Sequence, residues 1–187
     1  MKKSVEKIFV DLITQSLNLP LNYGFDKDGN EIPCVIIKSQ NLKLFNTPKL
    51  QITVSTVSNN VYSNRKEHFE QDGSYYERLM LNEQRLMQID IYSRNNEARE
   101  RFWEVQSALT STLSEQLQDL YQFRIAKIST SNNLSGLDGG SDINRYTIRF
   151  NCLTWQEKIN EVDYYSTFRT TAQNNDTDLF TDFTIKA

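Results

Sequence analysis

Apolar residues first recur at helical spacing, where Val5, Ile8, Phe9, Leu12, Ile13 and Leu17 form one stripe. Ser4 stands at the N-cap position and Pro20 stops the pattern, so a helix is predicted from 4 to about 18. The period then changes to two. Leu21–Phe25 and Ile32–Lys38 flank a turn signal whose Asp28-Gly29 step suits a tight hairpin. Leu50, Ile52 and Val54 alternate with Gln51 and Thr53, as a half-buried strand requires. Residues 58–74 are polar and turn-rich and read as a long excursion between two paired strands. Strand character returns over Tyr75–Ser93, with Met87, Ile89 and Ile91 alternating with Gln88, Asp90 and Tyr92.

A second helix is predicted over about 97–117, capped by Asn95-Asn96, with Glu97 and Glu100 favourably placed in its first turn. Its stripe is Ala98, Phe102, Val105, Leu109, Leu113 and Leu120, widened by Trp103. A strand at Tyr121–Ser129, a flexible loop over 130–143 and a strand at Tyr146–Trp155 follow. Beyond Lys158 periodicity fades, leaving a polar stretch over 170–178 and a short apolar tail at Leu179–Ile185. The order predicts an α+β fold, with a mainly antiparallel sheet packed on two amphipathic helices, long loops and an extended C-terminal tail.

Length and composition fit this picture: 187 residues, 38% hydrophobic and 24% charged, with a formal net charge of −3. Mild acidity without a dense Lys/Arg run argues against duplex binding as the main task. No stretch approaches the ~18 consecutive apolar residues of a membrane span. Charges at Lys2, Lys3, Glu6 and Lys7 break any secretory signal, so a cytoplasmic chain is expected. Cys34 and Cys152 lie far apart in alternating apolar segments and read as buried, reduced thiols.

Candidate chemistry is sparse. His68, the one histidine, lies in the polar excursion with no triad motif around it. Asp26-x-Asp28-Gly29 resembles the start of a calcium loop, but the twelfth position is Ile37 rather than an acid. The glycines of 136–140 lack the Gly-Lys-Ser/Thr ending of a phosphate loop, and Asp138 and Asp142 would repel phosphate. Carboxylate pairs such as Asp90 with Glu83, or Glu115 with Asp119, carry no signature. No catalytic, metal or cofactor residue is therefore assigned, and no enzyme is expected. Nine Tyr, ten Phe and two Trp supply mostly core. Trp155, Tyr164, Tyr165 and Phe168 gather where periodicity fades and are the candidate interface residues.

Three segments carry a family resemblance. They are Leu50–Val57 with its polar excursion to Gly73-Ser74-Tyr75, Gln84–Ser93 joined by a capping turn to the following helix, and Arg145–Glu157 followed by Val162–Tyr165. In order and spacing they resemble the neck or tail terminator proteins of long-tailed bacteriophages, over roughly residues 5–168. The expected organisation is a terminator-like domain at 1–168 and a C-terminal extension at 169–187. The resemblance implies a virion protein assembled in the host cytoplasm, forming a homohexameric ring at the head-proximal end of the tail. Such a ring ends tail-tube polymerisation and joins the tail to the neck. Its partners would be the tail-tube protein and head–tail connector proteins, with the sheath as a further candidate. Genomic DNA would pass through the lumen without specific binding. Competing readings are another head–tail connector or minor tail component, and a nucleic-acid-binding module using the aromatic tail with Arg145 and Arg149.

Overall fold

The computed structural model describes residues 3–25, 29, 31–38, 48–129, 131–138, 141–162, 167–173 and 180–186. The elements in chain order are α1 (Val5–Ser16), β1 (Asn22–Phe25), β2 (Glu31–Pro33), β3 (Val35–Ile37), β4 (Gln51–Gln71), β5 (Ser74–Ser93), α2 (Glu97–Leu109) and α3 (Thr112–Tyr121), then β6 (Arg124–Ile128), β7 (Asn132–Asn133), β8 (Gly136–Asp138), β9 (Ser141–Glu161), β10 (Thr167–Gln173) and β11 (Phe180–Lys186). The fold is α+β. Its main sheet runs β3-β4-β5-β9-β6, with β7 and β8 also paired to β9, and only the short β3–β4 contact is described as parallel. The chain forms two compact units: Met1–Ser63 with Leu81–Gln156, and Asn64–Met80 with Glu157–Ala187.

The first unit holds the core. α1 forms as its apolar stripe predicts, with the Ser4 hydroxyl accepting from the Lys7 N–H, and it buries Ile8, Phe9, Leu12 and Ile13. The period-two residues Ile52, Val54, Met87, Ile89, Ile91, Ile148, Phe150 and Cys152 join the same cluster. Phe9 is its centre, meeting Phe123 and Phe150 edge-on with ring centroids 5.5 and 4.9 Å apart. Phe102 of α2 stacks flat on Tyr146 of β9 at 4.6 Å.

The predicted helix at 97–117 is two helices. The Thr110-Ser111 step breaks it, because the Ser111 hydroxyl accepts from the Ser114 N–H and starts α3. Leu109, Leu113 and Leu117 still form one stripe across the break, so helical spacing alone could not reveal it. Two residues placed on the core face are instead exposed: Trp103 by 58% and Leu120 by 69%. The cap of α2 also differs from the expected Asn95-Asn96 pair. Asn96 makes no side-chain cap bond; the Asn95 Oδ1 accepts from the Glu97 N–H, and the Ser93 hydroxyl accepts from the Ala98 N–H, both at 2.9 Å. Tyr121 ends α3 rather than opening a strand.

The largest correction concerns 58–74. These residues are strand: β4 runs for 21 residues, turns at Asp72-Gly73 and returns as the 20-residue β5. Asp72 at φ 53° and Gly73 at φ 80° give the paired positive-φ positions of a tight hairpin turn. The polar run misleads because alternation marks a strand only when one face is buried, and from Val57 to Lys66 every residue is exposed. The 130–143 loop likewise contains β7 and β8, and β9 extends in both directions beyond the predicted 146–155.

In the second unit the hairpin end is laced by side chains. Lys66 pairs with Glu77, and Arg78 reaches Glu157 at 2.9 Å and Glu67 at 3.7 Å. Phe69 stacks on Tyr76 with centroids 5.5 Å apart, and Arg78 lies 5.0 Å over the Phe69 ring. β10 and β11 pair antiparallel as a separate two-stranded sheet over seven residue pairs, from Thr167↔Lys186 to Gln173↔Phe180. The anticipated division at 168/169 falls inside β10.

Candidate functional site

The alternation of β5 sends Gln88, Asp90 and Tyr92 to the face opposite Met87, Ile89 and Ile91. On that face Asp90 is fully buried and gathers donors from three chain segments. Its Oδ1 accepts from the Thr147 hydroxyl at 2.5 Å and from Arg145 Nη2 at 3.2 Å. Its Oδ2 accepts from Gln88 Nε2 at 2.9 Å and from Lys38 Nζ at 3.4 Å. Gln88 in turn accepts from Arg149 Nε at 2.8 Å, and the Arg145 guanidinium lies 5.2 Å over the Tyr92 ring.

Burial pushes the Asp90 carboxyl up, but the bonds from Thr147 and Gln88 and the Arg145 charge outweigh it and hold it below its ordinary value. The Tyr92 phenol is pushed up to about 12 by burial and by the neighbouring Asp90 charge. A carboxylate with four donors on its two oxygens has little acceptor capacity left for a substrate proton. What this cluster does chemically is hold Arg145 and Arg149 of β9, and Lys38 just after β3, against β5.

On the helix-covered side, Glu83 is bonded by Arg85 at 2.8 and 3.1 Å. Burial raises its carboxyl, and the bonds from Arg85 and Asn59 bring it below its ordinary value. Arg85 also lines a pocket of about 250 Å³ with Lys3, Ser4, Val5, Tyr121, Phe123 and Trp155. An open groove of about 610 Å³ lies between α3 and β6. There Asp119 pairs with Arg124 at 2.7 Å, and the Gln118 side chain accepts from the Ile125 N–H.

Of the candidate interface residues, Trp155 is half-buried on β9 in the first unit, where it borders the Arg85 pocket. Phe168 stands on β10 in the second unit, opposite Ile185. Tyr164 and Tyr165 lie outside the described residues, as do Asp26 and Asp28 of the calcium-like sequence. His68 is exposed on β4 rather than in a loop. Cys34 and Cys152 are free and buried, and burial pushes the Cys152 thiol up to about 12. Among the described residues no group of His, Cys, Asp and Glu is placed to hold a metal ion, and no helix is long and apolar enough to cross a membrane.

The surface that sequence reasoning missed is β4 itself beyond Val54. Val57, Val61 and Tyr62 are 51%, 54% and 59% exposed, amid the uncharged run Ser55–Ser63. The density of Val, Thr and Tyr was the available signal, masked by the asparagines and serines between them. No protein-family model matches the chain, and no curated protein sequence matches it either.

Proposed function

We propose that this chain is a structural subunit of a bacteriophage tail, acting as a neck or tail terminator that works by contact rather than by turnover. One observation carries the reading. The three segments that resemble the terminator family fold as β4, β5 and β9, which are adjacent strands of one sheet, and β5 feeds α2 through a capped turn. The buried Asp90 cluster ties the second of these segments to the third, so the order that prompted the resemblance is also a unit of packing.

In this reading the sheet and its helices form a rigid body, and the exposed length of the β4–β5 hairpin supplies recognition. Six copies close into a ring through head-to-tail contacts. The ring caps the last tail-tube ring, offers its other face to the connector, and leaves the lumen open to DNA.

The test is co-expression with a tail-tube protein from the same genome, read by negative-stain microscopy. Tubes of bounded length bearing a ring at one end support the proposal. Tubes that grow without limit in its presence, or binding to portal and adaptor proteins alone, overturn it.

A further inference from the structure

The main sheet has two outer edges, and they are treated differently. β6 is blunted by three devices: a bulge between Ile125 and Lys127, exposed charges at Arg124 and Lys127, and the Gln118 side chain bonded to the Ile125 N–H. Each is a known way of stopping a sheet edge from pairing with another chain. On β4 the parallel partner β3 ends opposite Val54, with the Lys38 N–H donating to the Val54 carbonyl at 2.8 Å. Among the described residues no strand covers the outer edge of Ser55–Ser63. That stretch has no proline and no charge, and its residues from Val57 onward are exposed.

We infer that Ser55–Ser63 of β4 is a strand-pairing surface whose occupant is the same stretch of a second copy, running antiparallel about Asn59. The sequence is self-complementary in that register alone. Ser55 falls opposite Ser63, Thr56 opposite Tyr62, Val57 opposite Val61, Ser58 opposite Asn60, and Asn59 opposite its own copy. Each pair directly opposite in an antiparallel ladder has side chains on the same face, so valine meets valine twice and each aromatic meets a β-branched residue. A two-fold contact needs one patch that complements itself, which this stretch supplies. The absence of charge removes the repulsion that two copies of a charged edge would meet. The contact does not rest on the phage reading.

The test uses the full chain. Sedimentation should give a concentration-dependent species of twice the 21.9 kDa chain mass. Asn59→Cys places two thiols across the two-fold axis, about 5 Å apart at Cα, and mild oxidation should link most of the protein as a dimer. Val57→Cys puts the two thiols roughly 13 Å apart, too far to bridge. The native Cys34 and Cys152 are buried and should stay silent. Val57→Lys with Val61→Lys should abolish the dimer, and Val57→Lys with Val61→Glu should restore it, because each lysine then faces a glutamate. A chain that sediments as a monomer at every concentration overturns the inference. So does equal cross-linking of Asn59→Cys and Val57→Cys, or loss of the dimer in both double variants. A monomer that still caps tail tubes would remove the inference and leave the proposed function standing.

Discussion

The two ends of β4 within the first unit obey different rules. Gln51, Ile52, Thr53 and Val54 are all buried, although two are polar and two apolar. From Val57 to Ser63 every residue is exposed, although two are valines and one a tyrosine. At the buried end, α1 covers the apolar face and the Asp90 cluster fills the polar one. At the exposed end the backbone ladder to β5 and the Asn59 bond to Glu83 supply the order, and every residue from Val57 to Ser63 is exposed. One strand thus serves as core at its start and as surface further on, and side-chain hydrophobicity does not tell the two apart.

Large-to-small substitutions should separate them most sharply. Phe9→Ala removes the ring that contacts Phe123 and Phe150 and should cost about 3–5 kcal/mol in denaturant unfolding. Val61→Ala at the exposed end should change the unfolding of the free monomer by less than about 0.5 kcal/mol. Equal costs at the two sites would erase the distinction.

Asp90→Ala comes next. It leaves the Thr147 hydroxyl and the Gln88 amide without their acceptor in a buried place. Lys38 and Arg145 keep part of their side chains in water, which limits the loss to about 2–3 kcal/mol. The same carboxylate gives a pH dependence. Its folded value lies below the ordinary one near 3.9, so its contribution is complete above that pH and fades as pH falls into the lower folded value. Glu83 is shifted in the same direction. Acid titration of wild type should therefore show a loss of stability below about pH 4 that is smaller in Asp90→Ala.

Much of the buried end was legible in the sequence, and little of the exposed end was. The α1 stripe and the alternation of Ile52, Val54, Met87, Ile89 and Ile91 report burial directly, since one side of each element is apolar and the other polar. The polar neighbours Thr53, Asp90 and Thr147 alternate as a wet face should, yet all three are buried. For Asp90 only a structure reveals the donors that permit this, because they come from Lys38, Gln88, Arg145 and Thr147, scattered along the chain. The exposed end of β4 has no buried face and so no period to read; Asp72-Gly73 marked a turn, but not how far the strands reached it. Beyond Lys158, β10 and β11 are defined by their pairing register and not by any repeat in either segment. The aromatic cluster was inferred from proximity in sequence, but Trp155 and Phe168 fall in different compact units.

Smaller effects should follow the same division. Ser93→Ala removes the acceptor of the Ala98 N–H at the start of α2, beside the buried sheet, and should cost about 1 kcal/mol. Glu77→Gln breaks the pair with Lys66 near the hairpin tip and should change stability by no more than about 0.5 kcal/mol, an effect that added salt should shrink further.

The difference between the two ends of β4 is most directly tested by amide hydrogen exchange on the dilute, full-length chain. The amides of Ile52–Val54 should exchange only on global unfolding, and those on the outer edge of Val57–Ser63 should exchange orders of magnitude faster. Uniform slow exchange along the whole strand in the dilute chain would contradict the account, because it would mean that the exposed stretch is already covered.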